Sequence, residues 1–433
     1  MTRIRTSSDR ADAQSTSLIH RPRAKAGEPN MSSASKTKHG PLQGIRIVDL
    51  TAVIMGPYAM QVMADFGAEV IKIESPEGDI MRHVGKNGDR AMGPIHLTLN
   101  RGKRLVALDL KKLEARDVLA NIIGSADAFV HAMRPKAIER LGLDYASVKK
   151  IKSDIVYCGA YGYAADGPYG DEPAYDDMIQ GLCGIADIAS QLAGEPRFFP
   201  TVIADKVCGL TLAYALLAAL LHKQRTGEGQ QIEVPMFETM VQFLMVEHLG
   251  DCTFGRNEEI GYARVLSQLR KPHRTADGYV CALPYNDKNW RDFFRIVDRP
   301  DLAADTRFSS QSARSRNYEV LYSLLGEILA TQPTGYWLEK LRAANIPVAP
   351  VLGLKALLDD PHLNAVNLFQ TVQHPSEGQI TAIRSPIAFS ATPAEMGKPA
   401  GIVGADTLNV LQGFGYSPSD IEALVAKGAI LGG

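Results

Sequence analysis

A strand–helix–strand unit at the start of its patterned region constrains this 433-residue chain more than any other feature. IRIVDL (45–50) is a β-branched run of the kind buried on both faces of a parallel sheet. GPYAMQVMADFG follows, with Pro57 suited to a first helical turn and Met60, Met63 and Phe66 at helical spacing. AEVIKIE (68–74) is the next strand, so residues 45–74 form a compact βαβ unit. RLVALDL (104–110), ADAFVHA (126–132) and DIVYCGA (154–160) read as further strands separated by amphipathic helices. A helix over 206–224 ends at the TGEG turn (226–229), and QIEVPM (231–236) adds a strand. The pattern predicts an α/β fold whose large part, residues 41–240, is a doubly wound domain.

Residues 255–325 differ in grain, with short strand pieces such as DGYVCALP (277–284) and helices around Trp290 and Tyr318. Strand and helix signals return at 335–344 and at IPVAPVL (346–352). A smaller α+β domain over 255–325, inserted before a C-terminal part of the large domain at 335–433, is the economical division. Residues 1–40 carry eight cations (Arg3, Arg5, Arg10, Arg21, Arg23, Lys25, Lys36, Lys38) against three acids and almost no large apolar side chains. Such a segment buries too little to offset its ordering entropy and reads as a disordered tail without a secretory h-region. The longest apolar stretch, residues 207–221, falls short of the roughly 20 residues of a membrane span and reads as a core helix.

Composition removes several function classes. With 47 Lys+Arg against 48 Asp+Glu, the chain lacks the basic excess of a nucleic-acid binder. Its five cysteines (Cys158, Cys183, Cys208, Cys252, Cys281) are widely spaced and read as buried free thiols of a cytoplasmic protein. Neither these nor the ten histidines show metal-ligand spacing. The turn TAVIMGP after the first strand has one glycine, so the dinucleotide fingerprint is missing, and P-loop, HExxH and GxSxG signatures are missing too.

Four polar features remain. LNRGKRLVALDLKK (99–112) places Arg101, Lys103 and Arg104 in a loop with Gly102 and ends at Lys111 and Lys112; such cations suit phosphate groups, or simply a solvated loop. RPKAIERLGLDY (134–145) carries Arg140 on a short helix, where an exposed surface role is the plain alternative. GAYGYAADGPYGDEPAYDDMIQG (159–181) ends in Asp176 and Asp177 at a helix start, which favours the helix dipole. Asp205 is the single acid of the apolar stretch 199–223 and precedes its core helix. It reads as an N-cap, or as a desolvated carboxylate held at a helix N-terminus and able to act as a covalent nucleophile.

LQGIRIVDLTAVIMGPYAMQVMADFGAEVIKIESPEGD (42–79), LTLNRGKRLVALDLK (97–111), MRPKAIERLGLDY (133–145) and GYAADGPYGDEPAYDDMIQG (162–181) follow one another in an order that resembles the class III CoA-transferases. ADKVCGLTLAYALLAALLHKQRTGEGQQIEV (204–234) continues it, and the likeness covers roughly residues 41–433. That family also contains formyl-CoA transferase and α-methylacyl-CoA racemase. The resemblance implies an enzyme that moves coenzyme A from an acyl-CoA to a carboxylic acid. It implies a large Rossmann-like domain, a small domain and an intertwined homodimer. CoA would be substrate and product, with no permanently bound cofactor, no metal, no nucleic acid and no membrane partner.

The same resemblance puts Asp205 on the catalytic aspartate, with Tyr175 and Asp176 lining the active site. It puts CoA contacts at Leu108, Asp109, Leu110, Lys111 and Arg140, beside the cationic loop of Asn100, Arg101, Lys103 and Arg104. Racemases carry His-Asp where this chain has Tyr175-Asp176, so transfer is favoured over α-proton abstraction. His131-Ala132 replaces the family's Glu-Asn before MRP, and no glycine-only loop is visible at 255–275. A racemase-like isomerase and a CoA-ester-binding protein without turnover remain the alternatives.

Overall fold

The computed structural model describes residues 40–432; the tail read at 1–40 lies outside them apart from Gly40. Its centre is a six-stranded parallel sheet in the order β3-β2-β1-β4-β5-β6. The strands are β1 (Arg46–Leu50), β2 (Glu69–Glu74), β3 (Arg104–Ala107), β4 (Ala128–His131), β5 (Val156–Tyr161) and β6 (Gln231–Pro235). Five lie within runs legible in the sequence, and β5 runs one residue past its own, to Tyr161. The chain reverses its winding between β1 and β4, and ligands of open α/β sheets bind at the strand C-termini near such a point.

Strand alternation sorts the core into two layers. Ile47, Val70, Val130, Val156 and Cys158 face helices Met55–Asp65, Ile203–Thr226 and Met236–His248. Val48, Ile71, Phe129 and Tyr157 face helix Leu113–Ile123 and the late helices Thr407–Gly413 and Pro418–Ala426. The C-terminal return thus belongs to the large sheet, and it also closes the sheet's edge. Asp406 Oδ2 accepts the Leu105 N–H (2.8 Å) and the Thr407 hydroxyl accepts that of Ala107 (3.1 Å), satisfying donors of edge strand β3.

A separate core gathers Val280, Trp290, Phe293, Phe294, Leu325, Trp337, Leu341 and Ile346. Its sheet joins β7 (His273–Arg274), β8 (Tyr279–Ala282) and β9 (Val348–Pro350), all antiparallel. This corrects the division placed at 335. Helix Thr334–Ala343 and β9 pack with the smaller body, because β9 pairs with β8 through Cys281↔Ala349 and Trp337 donates its indole N–H to the Leu329 carbonyl (2.8 Å). A hairpin not anticipated from sequence, β10 (Phe369–His374) with β11 (Gly378–Ile383), precedes the return to the large sheet.

Two further expectations change. Helix Ile203–Thr226 has 24 residues and is, by length and composition, long and apolar enough to cross a bilayer. Half of its most apolar window is buried in the fold, through Ala204, Cys208, Leu212 and Leu216 among others. At Gly209 a side chain would meet the Met55 carbonyl oxygen at 2.7 Å, so glycine is what lets this helix lie close to the start of helix Met55–Asp65. Cys158, Cys183 and Cys208 are buried as expected, but Cys281 is exposed and Cys252 half-buried. Cys281 lies on the outward face of β8, between the buried Val280 and Ala282.

Candidate active site

Asp205 sits in the first turn of helix Ile203–Thr226, whose cap position, Val202, offers no side-chain bond. It is therefore a first-turn residue and not the N-cap. It is only 8% exposed. Its own N–H donates to Asp176 Oδ1 at 3.1 Å. Burial, then the Asp176 charge, push the Asp205 carboxyl up to about 6.

Asp176 is the first residue of helix Asp176–Leu182 and is 7% exposed. Gln180, one turn on, donates to its Oδ2 at 2.6 Å and to the Thr201 carbonyl at 3.3 Å, and accepts the Phe199 N–H at 2.8 Å. One buried amide thus ties the acidic helix start to the segment that feeds the Asp205 helix. Tyr175, at the cap of the acidic helix, is 62% exposed beside the pair. The Cys208 thiol, one turn beyond Asp205, is pushed up to about 12 by burial and the two carboxylates, so it stays protonated.

The residues expected at CoA's phosphates divide into two sets. Arg101 grips Asp65 through both guanidinium nitrogens and donates to the Ile383 carbonyl at 3.0 Å. Lys103, 1% exposed, donates to the Pro57 carbonyl and Asn100 Oδ1, both at 3.0 Å, and lies 3.4 Å from Asp49. Burial pushes Lys103 down to about 8. Asn100 is itself buried against His96. These side chains turn inward to internal partners, whereas the sequence reading had them facing a ligand; Arg104 is half-buried and paired with Glu69 at 2.7 Å. In the second set Leu108 is buried, Asp109 and Leu110 are half-buried, and only the two cations are exposed. Leu108, Asp109, Leu110 and Lys111 follow the C-terminal end of β3, and Arg140 ends helix Pro135–Arg140 after β4. Lys111 and Arg140 are exposed, and among the described residues neither side chain enters an ion pair.

His131, at the end of β4, is buried among Phe129, Tyr157 and Tyr161, on the sheet face opposite Asp205. Burial holds it down to about 4, hence neutral. Sequence reading missed one contributor to the site, Gln180, whose signal was its i+4 spacing from Asp176.

Residues 42–407 match the model of CoA-transferase family III. The chain belongs to CoA-transferase family III. This CoA-transferase is 31% identical over 382 residues to a probable fatty acyl-CoA transferase of Mycobacterium tuberculosis, covering 84% of this chain and 95% of that one. It is 29% identical over 380 residues to the succinate–glutarate CoA-transferase of Agrobacterium fabrum, covering 86% and 95%. It is also 29% identical over 410 residues to the formyl-CoA:oxalate CoA-transferase of Streptomyces avermitilis, covering 90% and 99%. The orthorhombic crystal structure of the same M. tuberculosis protein superposes with a TM-score of 0.75 at 30% identity, over 86% of this chain and 99% of that one. A CaiB/BaiF family protein from Brucella suis gives 0.74 at 28% identity, over 87% and 100%. The α/β architecture, the family and the transferase class expected from the sequence therefore stand.

Proposed function

We propose that this transferase moves CoA between carboxylic acids through covalent intermediates on Asp205. One observation carries the reading: a desolvated carboxylate raised to about 6 lies in the first turn of a long buried helix. At pH 7 such a group is mostly ionised yet more basic than an exposed aspartate, which suits a nucleophile. An Asp205 oxygen attacks the donor thioester carbonyl, and the C–S bond breaks to release CoA thiolate and leave a mixed anhydride. The thiolate then attacks the Asp205 carbonyl, freeing the donor acid and forming an aspartyl-CoA thioester. The acceptor carboxylate attacks that thioester, and the returning thiolate completes acceptor-CoA and restores Asp205.

One thioester replaces another, so the exchange is close to thermoneutral. Exclusion of water protects the anhydride, and backbone N–H groups at the helix start are suited to the transient oxyanion. Tyr175 and Asp176 would line the acyl site. Lys111, Arg140 and the backbone of residues 108–110 would meet CoA's phosphates, with Arg104 at the margin. The substrates fall in the class handled by the relatives, acyl-CoA esters and free carboxylic acids.

A homodimer accompanies this reading. Leu210, Tyr214 and Leu221 on the long helix, with Phe243 and Val246 on the next, expose large apolar side chains that a second copy would cover. Light scattering showing a monomer would remove that part.

The decisive experiment incubates the protein with a panel of acyl-CoA donors and carboxylates and reads products and peptides by mass spectrometry. A CoA or acyl adduct on the peptide containing Asp205, lost in Asp205→Ala together with turnover, is the expected result. Substantial turnover by Asp205→Ala rejects the mechanism.

A further inference from the structure

Helix Asp176–Leu182 is turned inside out. Its buried side carries the polar residues Asp176 and Gln180 together with Ile179, while Tyr175 at its cap, Met178 and Leu182 are exposed. At the helical period these three fall on one face, an apolar stripe open to solvent, where an amphipathic surface helix is polar. Phe198 and Phe199, also exposed, stand on the loop that this helix holds. Gln180 Oε1 accepts the Phe199 N–H at 2.8 Å, and Gln180 Nε2 donates to Asp176 Oδ2 at 2.6 Å. The loop then feeds the Asp205 helix directly, since the Thr201 N–H donates to the Phe199 carbonyl and the Ile203 N–H to the Thr201 carbonyl, both at 2.7 Å. The exposed apolar residues and the two carboxylates thus belong to one hydrogen-bonded unit. The stripe starts next to Asp176 and runs about 10 Å away from it.

The charges there disfavour a second anion. Asp177 is exposed, enters no ion pair among the described residues, and adds to Asp176 and Asp205. Of the cations, Arg197 is already paired with Glu195 at 2.6 Å, and Lys206 donates to the Thr201 hydroxyl at 2.5 Å. Three acids stand against the single charge of Lys206, a balance that repels a carboxylate at the far end of a substrate. We propose that Tyr175, Met178, Leu182, Phe198 and Phe199 bind the tail of the carboxylic acid substrates, and that this tail is an uncharged hydrocarbon. The substrates are then apolar monocarboxylic acids and their CoA thioesters. The proposal deepens the reading of Asp205 as the reacting carboxylate and rests on it for where the acyl carbonyl lies.

The test is binding without turnover. In Asp205→Asn, calorimetry compares butanoyl-, hexanoyl- and octanoyl-CoA with succinyl-, glutaryl- and adipyl-CoA, each affinity read relative to that of CoA alone. Relative affinity should rise about two- to fourfold per added methylene in the first series, the upper figure being full burial of each group. It should be lower and flat in the second. Met178→Gln combined with Leu182→Gln should flatten the first series, and Phe199→Ser should lower it. A flat monocarboxylic series, tighter binding of the dicarboxylic thioesters, or a steep series untouched by these variants overturns the proposal. Light scattering tests the other occupant: a change of oligomeric mass in the double variant would assign the stripe to a second copy of the chain and overturn the proposal too. Turnover by Asp205→Ala would instead overturn the mechanism and leave these affinities standing.

Discussion

The backbone N–H of Asp205 donates to Asp176 Oδ1 across 3.1 Å, which fixes one carboxylate at the positive end of the helix that carries the other. The two acids are supplied unequally. Asp176 takes the Asp205 N–H and the Gln180 amide, while the Asp205 carboxyl is pushed up by burial and by the Asp176 charge. Environments that treat neighbouring acids so differently separate their roles, which is what the proposed mechanism asks of Asp205 and Asp176.

Stability should depend on pH through Asp205. Its carboxyl titrates near 6 when folded, against about 3.9 for an unfolded aspartate, so the folded state binds this proton more tightly. Its contribution is most favourable below about pH 4, declines as pH rises through 6, and is a constant penalty above, on the order of 3 kcal/mol. Asp205→Asn should therefore melt at a higher temperature than wild type at pH 7.5, with the difference vanishing near pH 4. Equal melting temperatures at pH 7.5 would refute the desolvated carboxylate.

Asp176→Asn should lower the Asp205 midpoint, because the Asp176 charge is one of the two causes raising it. The acid limb of kcat against pH then moves to lower pH. An acid limb that stays in place, or moves upward, would show that the Asp176 charge does not reach Asp205.

The cations of residues 101–111 and Arg140 should separate by phenotype. Lys111→Glu and Arg140→Glu should weaken CoA binding in a salt-dependent way and leave thermal stability unchanged, as exposed charges do. Arg101→Ala should destabilise the protein by about 3–5 kcal/mol, because it removes the cation that pairs with buried Asp65. Calorimetry with CoA and denaturant melts distinguish the two; a stable Arg101→Ala with weakened CoA affinity would return Arg101 to the ligand set.

Gln180→Leu should cost about 1–3 kcal/mol, since the Phe199 N–H loses its acceptor and Asp176 Oδ2 loses its donor inside the protein. Turnover should fall as well, because residues 199–201 lead directly into the Asp205 helix. Wild-type turnover in a Gln180→Leu variant of unchanged stability would show that this tether does not order the site.

Local pattern alone determined the parallel sheet and its helices. Strands such as AFVH and VYCGAY are buried on both faces, and that environment writes a mostly apolar run into neighbouring residues. Asp205 was legible for a similar reason: one acid in a long apolar helix contrasts with everything beside it. The direction of each cation was decided only by the tertiary structure. Lys103 and Lys111 look alike in sequence, yet Lys103 finds Asp49 and the Pro57 carbonyl, brought across from the first strand and its turn, while Lys111 is exposed and enters no ion pair among the described residues. The same holds for β9, drawn into the smaller sheet by pairing with β8 some seventy residues earlier. Periodicity records which side of an element is buried; what waits there comes from segments distant along the chain, and only folding brings them together.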